Sequence, residues 1–263
     1  MLSHLKRRIG VFTAIAVLAA FVPALTTSPA SAAASTTLVT VVASPATYEA
    51  CPTGSAAAAG FTDTTSTDVD CIKMYGITTG VTATTYEPTA SVPRWQMALY
   101  LTRMAGPTQV TLGTGADQGF TDISGKSAEI QTAINQIKQL GVTVGKTATT
   151  FAPDDNVTRE EMALFIQRML HATPTGPGGV SSNALTVNVD GDGSTYNFTD
   201  IDTAVTVEGK DAIVEMWNLG VHDGLLATTY NPNSDMTRAA MATFLTAALN
   251  HTNARPAGLV MQT

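Results

Sequence analysis

One stretch of this chain recurs three times, and that recurrence limits what it can fold into more than any other feature. The copies read GITTGVTATTYEPTASVPRWQMALYLTRM (76–104), GVTVGKTATTFAPDDNVTREEMALFIQRM (141–169) and GVHDGLLATTYNPNSDMTRAAMATFLTAA (220–248). Gly80 to Arg94, Gly145 to Arg159 and Gly224 to Arg238 are each 14 residues apart. A Phe-Thr-Asp triplet precedes every copy, at Phe61, Phe120 and Phe198. A period of this kind marks one supersecondary unit used repeatedly. A unit that small cannot bury its own apolar face, so the copies must pack on one another.

Local patterns give the unit its content. In the second copy Ile130, Ala133, Ile134, Ile137 and Leu140 fall at helical spacing, which predicts an amphipathic helix over 127–140. Gly141 ends it, as glycine does just past a helix. A second helix is expected from Arg159 to about His171, with Met162, Phe165, Ile166 and Met169 buried. Thr158 and Glu161 have the spacing of a capping box. The third copy repeats the pattern with Ala212, Ile213, Met216 and Leu219, then Met241, Phe244, Leu245 and Ala248, and Thr237 as cap. The first is shorter: Asp63 to Gly80 is 17 residues, against 23 for Asp122 to Gly145. Asp63 or Asp68 is expected to cap its abbreviated first helix. Phe61, Phe120, Phe198, Tyr86, Phe151 and Tyr230 read as core wedges.

The segments divide accordingly. Residues 1–32 have a basic start at Lys6, Arg7 and Arg8, a short apolar run and an Ala30-Ser31-Ala32 site. This is the pattern of a secretory signal peptide, with cleavage expected before Ala33. Residues 33–60 read as an extended lead-in with one strand over 37–42. The copies occupy 61–105, 120–171 and 198–250, and 251–263 is a tail. The linker 172–197 is rich in Pro and Gly, then alternates at Leu185, Val187 and Val189, which predicts an inserted β-hairpin. The fold class expected is mainly all-α: three helix-turn-helix units in a pseudo-threefold cluster, with that hairpin inserted.

Composition removes several function classes. The formal net charge of −7 argues against nucleic acid and against anionic lipid as partners. After signal cleavage nothing remains to hold the chain in a membrane. Cys51 and Cys71 are the two cysteines of an exported chain, and a disulfide contributing about 3 kcal/mol is the default reading. No nucleophile elbow, P-loop or metalloprotease motif is present, so an enzyme is not expected, nor a cofactor. Asp190 and Asp192 resemble a fragment of a calcium loop but lack its closing glutamate, so a plain turn is expected and no metal.

The combined pattern resembles the S-layer homology repeat: Phe-x-Asp, a helix, Gly-[Ile/Val]-x-x-Gly, Thr-[Tyr/Phe]-x-Pro, then Thr-Arg-x-Glu. It spans about 61–249 in three copies, as in an exported bacterial protein of actinobacterial type. The resemblance implies a pseudo-trimeric helical domain whose inter-repeat grooves bind secondary cell-wall polysaccharide, often pyruvylated, and hold the protein at the cell surface. Carried over by position, the groove arginine falls on Arg94, Arg159 and Arg238, and the aspartate of the opening motif on Asp63, Asp122 and Asp200. Glu161 is the one glutamate at the fourth motif position, and Trp95 is a candidate for stacking on a sugar. The physics suits an acidic ligand: a planar guanidinium fork beside the free N–H groups of a helix start. The alternative is equally physical. The same arginines can form salt bridges between repeats, in a structural surface-layer component that assembles with itself or docks another envelope protein. The aspartates can be caps or turn formers, and Trp95 can be core.

Overall fold

Among the described residues, seven helices account for the regular structure. They are α1 (Thr67–Met74), α2 (Arg94–Ala105), α3 (Ala128–Gln139), α4 (Arg159–Ala172), α5 (Ile201–Ala204), α6 (Val207–Asn218) and α7 (Arg238–Asn250). The computed structural model describes residues 49–174, 198–204, 206–223 and 228–256. The signal peptide, the strand at 37–42, the hairpin and the Asp190–Asp192 turn lie outside the described residues. Among those described, no sheet forms. No helix there is long and apolar enough to cross a membrane.

Helix ends follow their local chemistry. Ser127 caps α3 by accepting the Ile130 N–H, and Thr206 and Thr237 cap α6 and α7 in the same way. At α4 the capping box is complete: Thr158 accepts from the Glu161 N–H and Glu161 accepts from the Thr158 N–H. The start of α1 differs from expectation. Its cap position is Ser66, with no side-chain bond to the helix. Asp63 serves the later turn instead, and Asp68 accepts a bond from the Thr243 hydroxyl. The Cys51–Cys71 disulfide ties the lead-in to α1, with Cα atoms 5.8 Å apart. Ala50 is held there too, its N–H donating to the Asn250 side chain and its carbonyl accepting from the Tyr75 hydroxyl.

The copies are joined in a cycle. α2 packs on α3, α4 on α6, and α7 on α1, so the second helix of each copy covers the first helix of the next. The segments just before α2, α4 and α7 meet as paired backbone: Ser91 with Thr237, Pro93 with Asn156, and Thr158 with Asp235. Beneath these, the Val92 N–H donates to Met236 O, the Val157 N–H to Val92 O and the Met236 N–H to Val157 O. The three bonds close on themselves around fully buried Val92, Val157 and Met236. Apolar burial drives this association; the ring fixes its register.

Each copy has the same aromatic wedge. Phe61 meets Tyr86 at 5.6 Å between ring centroids, Phe120 meets Phe151 at 5.6 Å, and Phe198 meets Tyr230 at 5.3 Å. In the first two copies the glycine turn lies against this wedge. Gly145 has φ +88°, and a Cβ there would come within 2.6 Å of both the Phe120 ring and the Thr147 carbonyl oxygen.

Candidate functional site

The three motif arginines hold equivalent positions at the junctions between copies, and the junctions share a backbone frame. The first two amides of α2 donate to Asp155 O and Pro153 O, those of α4 to Ser234 O and Pro232 O, and those of α7 to Ala90 O and Pro88 O. These are the orphan donors of a helix start, and the neighbouring copy consumes them. The expectation of free N–H groups beside the arginines is therefore corrected. Each guanidinium then reaches into the same neighbour. Arg94 Nε donates to Phe151 O at 2.8 Å, Arg159 Nε to Tyr230 O at 2.7 Å and Arg238 Nε to Tyr86 O at 2.6 Å. Each also lies over the ring of that aromatic residue, 4.4–4.8 Å from its centroid. A cation in the first turn opposes the helix dipole; this clamp is what offsets that cost three times over.

Charge compensation differs at every junction. Arg94 is 2% exposed, and its Nη1 lies 3.0 Å from Glu161 Oε1. Burial draws its pKa below the ordinary guanidinium value, with Glu161 pulling the other way. Arg159 faces Ala240 where Glu161 would stand, and instead takes Asp223 in a two-pronged bond at 2.6 and 2.8 Å. Burial opposes charge on both partners, yet the pairing wins: Asp223 sits below the usual carboxylate range and Arg159 above its own. Arg238, also 2% exposed, has no carboxylate within ion-pair distance among the described residues. Its Nη1 donates to Gln96 Oε1 at 2.7 Å and to the Tyr100 hydroxyl. The buried Nη2 has no hydrogen-bond partner there. Three equivalent guanidiniums facing open grooves are thus not what the chain builds: Arg94 and Arg238 are enclosed, and Arg94 and Arg159 are neutralised from within.

The aspartates are turn staples. Asp63 accepts the N–H groups of Tyr86 and Glu87, Asp122 those of Phe151 and Ala152, and Asp200 those of Tyr230 and Asn231. The second residue in each pair has positive φ, at 58° for Glu87 and 55° for Ala152 and Asn231. The left-handed region is unfavourable for residues with a Cβ, so two charge-assisted bonds hold each turn where it would not rest unaided. The Tyr86 and Glu87 N–H groups hold the Asp63 carboxyl below its usual pKa. Trp95 is half-buried against the core, and its backbone N–H donates to Pro153 O.

One cleft opens at the junction of the first and second copies. It has a volume of about 120 Å³ and is lined by Arg94, Val144, Gly145, Glu161, Leu164 and Arg168 among others. Lys146 borders it, its Nζ 2.6 Å from Glu161 Oε1. Arg168 donates to Val142 O at 3.5 Å and has no carboxylate within ion-pair distance among the described residues. A separate cleft of about 290 Å³ lies between α2 and α3, where Arg103 is paired with Glu129. Among the described residues no three potential ligands gather as a metal site.

Sequence reasoning missed Lys146, Arg168, Asp223, Gln96 and Tyr100. Asp223 had a visible signal. It stands in the glycine turn where the other copies have Thr79 and Val144, in the one copy whose fourth motif position is Ala240 beside a pairing Arg159.

Residues 119–163 match the S-layer homology domain family. The chain is also similar to an endoglucanase of Bacillus sp. (strain KSM-635), 39% identical over 93 residues, which is 35% of this chain and 9% of that protein.

Proposed function

We propose that this chain, which carries an S-layer homology domain at residues 119–163, anchors non-covalently to the cell wall. The partner is an acidic secondary wall polysaccharide, and the protein acts by binding, with no catalytic step. The observation that carries this reading is the cleft at the first junction: Thr143, Val144, Gly145 and Glu161 of the matched segment line it together with Arg94 and Arg168, and Lys146 pairs with Glu161, so cations outnumber the one lining carboxylate. Supporting it is the closed backbone frame between the copies, which fixes the positions of the residues that line the cleft. Location at the cell surface and pyruvylation of the glycan belong to the same proposal.

The test is co-sedimentation with purified wall sacculi, before and after extraction of secondary polysaccharide. Binding that disappears on extraction supports the reading. Failure to bind intact walls, or equal binding to stripped peptidoglycan, overturns it. A second reading is favoured at one point only: Arg94–Glu161 and Arg159–Asp223 are ion pairs between copies, so the motif arginines serve first to hold the frame.

A further inference from the structure

Two cations at the first-junction cleft have no matching pair in the other copies, a difference that the motif arginines do not explain. Position 146 follows the turn glycine; the equivalent residues are Val81 and Leu225. Position 168 lies two and a half turns into α4, nine residues after the motif arginine; the equivalents are Arg103 and Ala247. Of these, Arg103 is already paired with Glu129 at 2.9 Å. Only the second copy therefore has both cations, and only there is the second guanidinium without a carboxylate among the described residues.

Their placement is fixed at both ends. Glu161, Leu164 and Arg168 share one face of α4 at spacings of three and four. The turn 142–146 lies along that face, tied at one end by Arg168 to Val142 O and at the other by Lys146 to Glu161. Arg94, under the floor, is committed to Glu161 and Phe151. Glu161 is shared between Arg94 and Lys146, which leaves Lys146, 39% exposed, and the partly exposed Arg168 at the surface of the cleft. The cleft, of about 120 Å³, is open enough to admit a pendant group of a polymer that lies outside it. Leu164 and Val144 give the space an apolar wall, which suits the carbon carrying such a group.

We propose that Lys146 and Arg168, rather than the three motif arginines, form the anion-recognising pair of this protein, and that they take one pendant carboxylate or phosphate of the wall polymer in a single cleft. This rests on the wall-binding reading above and names the site and stoichiometry within it.

The experiment measures half-saturation of purified sacculi by wild type, Lys146→Gln, Arg168→Gln and Arg103→Gln, with circular dichroism confirming that each is folded. Loss of one charge-assisted bond corresponds to weakening of about tenfold or more. That is expected for Lys146→Gln and Arg168→Gln, with Arg103→Gln unchanged. Two further arms use sacculi from which ketals have been removed by mild acid and sacculi from which phosphate has been removed. Loss of binding in the first assigns a carboxylate, and in the second a phosphate. If wild type does not bind intact sacculi, the wall-binding reading itself fails. If wild type binds but Lys146→Gln and Arg168→Gln bind equally well, this inference fails and wall binding stands. It fails also if Arg103→Gln weakens binding as much as Arg168→Gln, or if neither chemical treatment of the walls reduces binding.

Discussion

Removal of the Glu161 carboxylate separates the structural duty of the arginine junctions from everything else. Its Oε1 meets Arg94 and Lys146, and its Oε2 accepts from the Thr158 N–H at 3.3 Å. Glu161→Ala leaves the Arg94 guanidinium buried without a counter-charge. Breaking such a pair from one side costs about 3–5 kcal/mol, and the reciprocal cap bond adds about 0.5 kcal/mol. Arg94 keeps its bond to Phe151 O and its contacts with the Phe151 and Phe165 rings, so the low end applies, about 3 kcal/mol. For a chain of this size that lowers Tm by about 6–12 °C. Glu161→Gln re-creates the arrangement the third junction already uses, where Arg238 meets Gln96, and the expected cost is only about 1–2 kcal/mol. Replacing both partners, Arg94→Met with Glu161→Leu, is expected to return to within about 1 kcal/mol of wild type. Urea unfolding at neutral pH, with unchanged m-values, reads all three. A loss below about 1 kcal/mol for Glu161→Ala, or equal losses for the Ala and Gln variants, refutes the claim that Arg94 depends on this charge.

Other expectations follow from the same contacts. Gln96→Glu gives Arg238 the carboxylate it lacks and should stabilise by about 1 kcal/mol near neutral pH, seen as a rise in urea midpoint. Gly145→Ala forces a Cβ onto the Phe120 ring and the Thr147 carbonyl at positive φ, so a loss of at least about 2 kcal/mol is expected by thermal melting. Reducing Cys51–Cys71, whose partners are 20 residues apart, should cost about 3 kcal/mol and lower Tm in a scan with and without reductant. Asp63 and Asp223 have folded pKa values below their unfolded ones, so their contribution is complete above about pH 4 and is lost as pH falls through the folded values. A urea series from pH 6 downward should show stability flat, then falling, and Asp223→Asn should reduce the fall.

Much of the fold could be read from local pattern, because its causes are local. Helical spacing of apolar residues located α3, α4, α6 and α7, and Thr158 with Glu161 announced a cap that is present. The aromatic wedges were legible because large rings flank each glycine turn. Pattern did not say which helix each apolar face covers, since a stripe of Ile and Met names no partner; here it is always the neighbouring copy's helix. The site was less legible for the same reason. Asp122 acts on amides 29 and 30 residues away, and Arg159 on a carboxylate 64 residues away. Similar motif letters, Arg94, Arg159 and Arg238, end in three different electrostatic situations because the deciding residue lies on another copy each time.

The three backbone bonds among Val92, Val157 and Met236 have a consequence for chain architecture. A stacked solenoid always offers a terminal face on which a further unit can be added; a circuit of donors and acceptors that returns to its origin offers none. Lengthening a gene by duplication would therefore not extend this body: six such segments would make two separate rosettes on a string, and four would leave one segment stranded with its apolar stripe uncovered.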